Sequence, residues 1–333
     1  MQKQIRDPQM KLLEPAPESL IRKDHPYRKL LSTVNLQEFC TPLAGIYRKD
    51  FGRPGYNIES GFAGLILQWM EDLSDRELER FLQENNAAKF FCGFNLSEKT
   101  PDHSYFSILR KKIGIDKLTD MINEFGDRLR AKGLIANIFT FVDASQMISK
   151  VSTWEERDKA IAAGEEALNN KNIEHYAHDK DASYGNKGKN KFWFGYKRHV
   201  AVCMRQGFIT ATAVTSAKVS DDKGLKEVCP EGGMIVGDKA YCLDAAQKAM
   251  KRKGCHSGAI LKNNMKGKNR EKDKFISSLR MPFEGVFSKM NKRVRYVGKA
   301  KAEFQAQMQS LVHNFKRLIA IAAPPYYRSS IYN

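Results

Sequence analysis

Ile138-Phe-Thr-Phe-Val-Asp143-Ala-Ser145 reads as a β-strand, built from aromatic and β-branched residues with one carboxylate set inside the apolar run. An ionised carboxylate in such a strand carries a desolvation cost unless a cation or hydrogen-bond donors meet it. Taken alone, Asp143 is either a strand-end aspartate or a metal ligand projected from a sheet. Two further stretches bear on the choice. Met234-Ile-Val-Gly-Asp238-Lys-Ala-Tyr241 repeats the pattern of an apolar strand that ends on an aspartate. Pro282-Phe-Glu284-Gly-Val-Phe-Ser-Lys289 places a glutamate in a helix-like segment. Two strand carboxylates and one helix carboxylate suit a pair of hard divalent cations. They lie far apart in the chain, so only a fold brings them together.

The rest of the composition supports a polyanionic partner. The chain has 333 residues, enough for a full core and more than one domain, and a formal net charge of +18. A membrane surface is the rival partner, but no apolar run reaches the roughly 20 residues needed to span a bilayer. Met1-Gln-Lys-Gln lacks the apolar segment of a signal peptide, so a cytoplasmic protein is expected. Six cysteines are scattered without a C-x-x-C pair, which argues against structural zinc and a disulfide framework.

Residues 1 to about 57 are proline-punctuated and read as short helices and loops. From Ile58 the pattern turns helical, with Phe62, Leu65, Ile66 and Trp69 at core spacing. Ser74-Asp-Arg-Glu77 is a capping box. Thr100-Pro101 reads as an N-cap and first-turn proline opening a helix to Lys112. A further amphipathic helix, carrying Leu118, Met121, Ile122, Phe125 and Leu129, ends near Gly133. A basic face with Arg110, Lys111 and Lys112 is a candidate phosphate contact, or simply a solvated face. After the Asp143 strand, Ser152-Thr-Trp-Glu155 reads as a second capping box, opening a polar helix to about Asn170. Residues 181–190 are rich in Gly, Asn and Lys and read as a mobile loop. Phe192–Met204 and Phe208–Ser216 read as two strands joined at Gln206-Gly207. A helix from Asp221, the Asp238 strand, a helix to Lys253, a short strand within 255–261, a basic loop over 262–274 and closing helices follow.

These motifs carry a resemblance. Phe141-Val-Asp-Ala-Ser145, Phe194-Gly-Tyr-Lys-Arg-His199, Val236-Gly-Asp-Lys-Ala-Tyr241, Pro282-Phe-Glu-Gly-Val-Phe-Ser-Lys289 and His313-Asn-Phe-Lys-Arg317 occur in the order found in bacterial insertion-sequence DDE transposases, the branch named after insertion sequence five. Trp69 through Glu77 resembles that family's helical N-terminal domain. The resemblance implies an α/β protein: a ribonuclease H-like mixed sheet flanked by helices, preceded by an all-helical domain. It places a helical N-terminal DNA-binding domain at 1–132 and the catalytic domain at 133–325, with 146–191 a mobile helix and loop insertion. It implies Asp143, Asp238 and Glu284 as catalytic metal ligands for Mg²⁺, with Mn²⁺ as substitute. Lys197, Lys239, Arg280, Lys289 and Lys292 are the expected DNA contacts. The implied partners are double-stranded DNA, as terminal inverted repeats and target, and a second copy of the chain on DNA. A nucleoid-associated cytoplasmic enzyme with no membrane partner is expected.

The related signature Tyr-x₂-Arg-x₃-Glu-x₆-Lys is met only by Arg280 and Glu284. Ser277 stands at the tyrosine position and Asn291 at the lysine position, with Lys292 beside it. The alternatives are a nuclease of the same fold that cuts without joining, and a DNA-binding protein whose carboxylates are structural. His199 and Trp193 read as structural strand residues, and Asp221 and Asp222 as helix N-terminal residues. Lys239 and Tyr241 read equally as phosphate contacts or as structural residues.

Overall fold

A computed structural model describes residues 15–47, 55–188, 191–288 and 290–322. Lys289, one of the expected DNA contacts, lies outside the described residues. The chain forms two compact units. One takes the chain up to Phe125 together with the part from Leu311 onward, and the other takes Gly126–Ser310.

The first unit is helical. Ile58–Met70 is buried at every residue except Glu59, because apolar side chains and glycines occupy all its faces. The Ser74 box forms as read: Ser74 Oγ accepts from Glu77 N and Glu77 returns the bond to Ser74 N, opening Asp75–Glu84. The two helices expected on either side of residue 114 are continuous as His103–Ala131, interrupted only at Gly114 with φ of 68°. Their cap is Asp102, not Thr100: its Oδ1 accepts from Tyr105 N at 2.9 Å. Phe39, Phe62, Phe125 and Phe315 form one aromatic cluster with centroids 5.3–5.9 Å apart wherever they touch.

Arg110 is part of this interior. Its guanidinium makes a forked pair with Asp75, at 2.8 and 2.5 Å, and bonds to Gln68 Oε1 at 3.1 Å. Gln68, fully buried, returns a bond to Asp75. The paired charges and the amide satisfy one another, so Arg110 is withdrawn from the expected basic face.

The second unit holds a six-stranded sheet: β1 (Phe139–Ile148), β2 (Ser183–Lys187), β3 (Lys191–Cys203), β4 (Ile209–Ser216), β5 (Met234–Gly237) and β6 (His256–Ala259). Its order is β2-β3-β1-β5-β6, with β4 also on β3. β1 runs antiparallel to β3 and parallel to β5. β2 arises in the stretch whose Gly, Asn and Lys content reads as loop; its ladder with β3, not its composition, makes it a strand. The second capping box does not form. Trp154–Ala162 begins at Thr153 without a side-chain cap and stops at Ala163 before Gly164, whose φ is 90°. The expected Asp221 helix is a single turn, Asp221–Gly224.

One face of the sheet is covered by the helix Arg270–Ser288, through Val286 and Phe287 on Phe141, Val200, Val202 and Ile209. That helix starts inside the expected basic loop and continues through Pro282. The opposite face packs Val142, Ala201 and Ile235 against Tyr241, Ala246 and Met250. No helix among the described residues is long and apolar enough to cross a membrane.

The Arg110 network predicts a stability effect without a DNA effect. Arg110→Ala leaves Asp75 unpaired beside a buried amide and should cost about 3 kcal/mol. Chemical denaturation measures it, while DNA affinity per folded molecule should stay at the wild-type value.

Candidate active site

The two aspartates meet because of strand register. Phe141 of β1 pairs with Val236 of β5 in a parallel ladder, and each aspartate lies two positions further on. Alternation along parallel neighbours therefore delivers both carboxylates to one face, at the carboxyl ends of the strands. Each is oriented by its own backbone: Asp143 Oδ1 accepts from Ala144 N and Asp238 Oδ1 from Ala240 N, both at 2.8 Å. The second bond is an Asx turn that carries the chain off the sheet.

Burial pushes the Asp143 carboxyl up to about 6; its neighbour's N–H lowers it, the Asp238 charge raises it, and Arg280 and Lys187 lower it. Two carboxylates at neighbouring strand ends with one backbone donor apiece are an oxygen donor set suited to a hard divalent cation.

Gly237, the last residue of β5 before Asp238, is required by close approach. A Cβ there would stand 2.6 Å from the Tyr241 ring, which folds back over the strand end. Tyr241 is buried, so it packs beneath the site and is not an exposed phosphate contact. Burial first, then Asp143, Asp221 and Asp238, raise its phenol well above the ordinary range. A tyrosine three residues after a strand aspartate was the only sequence signal for this floor.

Arg280 reaches the same place from the covering helix. Its side chain is 14% exposed, its guanidinium carbon lies 5.7 Å from the Phe141 ring centre, and Nη2 stands 3.5 Å from Glu284 Oε1. Phe283 and Phe287, one turn apart, seat the helix on Phe141 at 6.1 and 6.0 Å. Arg280 Nε is buried without a hydrogen-bond partner among the described residues. Glu284 is different: its side chain is 56% exposed and it pairs with Arg280. Among the described residues no three His, Cys, Asp or Glu side chains are close enough to hold a metal ion. Register brings Asp143 and Asp238 to neighbouring strand ends, and Glu284 completes no three-carboxylate group with them among the described residues.

The lysines divide as well. Lys197 is turned inward: its Nζ lies 2.8 Å from Asp221 Oδ1, donates to Val219 O at 2.8 Å, and its side chain is 12% exposed. Lys239 and Lys292 are exposed, and Lys292 lies past the helix, its carbonyl accepting from Ile148 N at 2.7 Å. His199 is structural. Its Nε2 bonds with Thr215 Oγ1, and burial lowers its pKa to about 4, so the ring is neutral. Trp193 is buried, its indole N–H donating to Tyr196 O. Sequence reasoning missed Arg198, a fully buried guanidinium bonded to Gln309 Oε1 and Asn291 O, with Nε and Nη1 unpaired among the described residues.

A five-stranded run in this order, with antiparallel and parallel halves meeting on an aspartate-bearing central strand, is the ribonuclease H-like arrangement of phosphodiester-cleaving enzymes. Two family models match the chain: Transposase domain (DUF772) over residues 15–112 and Transposase DDE domain over residues 167–315. The chain belongs to the insertion-sequence DDE transposases, metal-dependent enzymes that cleave and join DNA. The second match takes in Asp238 and Glu284 and begins after Asp143. Among solved structures, a pre-cleavage Mos1 transpososome is similar at 7% identity and a TM-score of 0.17, covering 84% of this chain and 82% of that one. Likeness at that level carries no structural argument. No curated protein matches.

The raised Asp143 carboxyl predicts a pH-dependent stability cost. Its folded pKa of about 6 exceeds the ordinary 3.8, so the folded state holds the extra proton between these values. Stability of the metal-free protein therefore falls as pH rises through that window. Asp143→Asn should raise the Tm at pH 8, by the equivalent of at most about 3 kcal/mol, and leave it unchanged near pH 4. Melting curves at the two pH values check the sign.

Proposed function

We propose that this chain is the transposase of an insertion sequence in the branch named after insertion sequence five, with Asp143, Asp238 and Glu284 as the carboxylates that hold Mg²⁺, or Mn²⁺ in its place. The observation that carries the reading is the side-by-side placement of Asp143 and Asp238 at the ends of two parallel strands. Bound there, the cations supply Lewis-acid polarisation of the phosphodiester.

The chain's own residues do the rest. Arg280, low-exposed and aimed at Phe141, is placed to hold the scissile phosphate, and Glu284 would leave its pair with Arg280 to join the aspartates when DNA enters. Exposed Lys239 and Lys292 hold flanking phosphates, and Lys289 is assigned to the same backbone on its sequence position alone. Lys197 acts through Asp221, so its effect on DNA is indirect. The substrates are the element's terminal inverted repeats and target DNA, two copies of the chain act together, and the reaction takes place at the nucleoid in the cytoplasm.

Cleavage and joining of a plasmid carrying the DNA that flanks the coding sequence tests this reading. Asp143→Asn, Asp238→Asn and Glu284→Gln should each abolish cleavage while DNA binding survives, because binding is carried by basic residues. Near-normal cleavage by any one variant removes that residue from the ligand set. Arg280→Ala should slow single-turnover cleavage of pre-bound ends strongly with a modest loss of binding. An unchanged rate would mean that Arg280 only pairs with Glu284.

A further inference from the structure

Ile58–Met70 and Asp75–Glu84 are joined by four residues, Glu71 to Ser74, whose backbone is fixed. Glu71 N donates to Leu67 O at 3.0 Å and Leu73 N to Gln68 O at 2.8 Å. Between them Asp72 has φ of 55°, the only positive value at a non-glycine position among the described residues. A left-handed residue closed by such a bond ends a helix and turns the chain sharply. Aspartate tolerates that conformation better than most side chains. Ser74 then caps the next helix, so the segment is a helix, a four-residue turn and a second helix.

The second helix is held from one side. Leu78 and Leu82 are fully buried. Asp75 is tied to Gln68 and Arg110, and Glu79 Oε2 accepts from His103 N at 3.0 Å and meets His103 Nδ1 at 2.7 Å. Positions 75, 78, 79 and 82 share one face, which pins the helix to both Ile58–Met70 and His103–Ala131. The opposite face carries Arg76, Arg80 and Gln83, all exposed. Four acidic residues lie on the same helix, but Asp75 and Glu79 are engaged inward and Glu77 accepts from Ser74 N. Only Glu84, at the far end, is left without a partner among the described residues. Neither Arg76 nor Arg80 forms an ion pair with a described residue, and like charges one turn apart work against the helix. Two such guanidinium groups and an amide on a pinned, outward helix face are the groups that read guanine and adenine edges.

We propose that Asp75–Glu84 is a recognition helix, which enters the major groove at the element's terminal repeats with Arg76 and Arg80 on guanines and Gln83 on an adenine. The Asp72 turn and the Asp75 and Glu79 bonds hold it against the helices behind it, so a single register of base contacts is offered. This role rests on the reading of the flanking repeats as substrate. It assigns the choice of sequence to the helical unit and leaves the cutting to the carboxylates.

The test uses the full chain, without divalent cations, on two duplex probes. One is the DNA flanking the coding sequence, trimmed to the stretch that wild type protects from nuclease; the other is an equal length of arbitrary sequence. Arg76→Ala, Arg80→Ala and Gln83→Ala should each weaken binding to the flanking duplex about 5- to 160-fold and change binding to the arbitrary duplex far less. Methylation of guanine N7 with dimethyl sulfate should interfere with wild-type binding, and each arginine variant should lose that sensitivity at one guanine. All three positions are exposed, so the variants should melt with wild type, which separates lost contact from lost folding. Equal losses on both probes, with the salt slope lowered by about 0.9 per arginine, would make these residues phosphate contacts and overturn the recognition helix. Wild type that protects no stretch of the flanking DNA defeats the substrate reading, and this role with it. A wild-type preference that all three variants keep defeats the recognition helix alone.

Discussion

Half-burying the Asp143 carboxylate is the constraint from which the catalytic unit follows. A strand made of Phe, Thr and Val must be covered on both faces, and it is, by Phe283 and Phe287 on one side and by Tyr241 and its neighbours on the other. The covering that satisfies Phe141 also desolvates the aspartate two residues on. The Ala144 N–H lowers that energy, and so does opposite charge brought from elsewhere. Arg280 arrives on the covering helix, and Asp238 adds a second negative charge that makes the need greater. A site that is uncomfortable without a cation is the physical condition for binding one well.

The same logic sorts the basic residues. With a net charge of +18, lysine and arginine are abundant, yet abundance says little about which of them face DNA. Arg110, Arg198 and Lys197 are each drawn inside by a specific acceptor: Asp75, Gln309 and Asp221. They organise packing and are withdrawn from the surface. Arg198 is the extreme case. It ties the segment after the Glu284 helix, through Asn291 O, to β3, whose residue 195 crosses the end of β1.

Much of this was legible in the chain. The strands bearing Asp143 and Asp238, the hairpin at Gln206-Gly207 and the Ser74 capping box follow from aromatic, β-branched and capping patterns that tertiary packing reinforces. What was not legible depended on partners remote in sequence. β2 is a strand only because β3 lies beside it. The helix passes through Pro282 because its Phe283, Val286 and Phe287 contacts outweigh one lost backbone bond. Lys197 resembles a DNA contact until Asp221 is placed next to it. Glu284 matches its motif, but the motif does not show that its side chain pairs with Arg280 one helical turn away.

β1 also determines what fragment of the chain can exist alone. The matched DDE region, residues 167–315, starts after this strand. Among the described residues, β1 is the only strand linking the antiparallel strands β2, β3 and β4 to the parallel pair β5 and β6. A piece cut at the edge of the matched region would keep two sheet fragments with an open edge on each and nothing to join them. The unit that inherits, folds and can be transplanted between proteins is therefore longer than the stretch by which the family is recognised, and its indispensable part lies before that stretch begins.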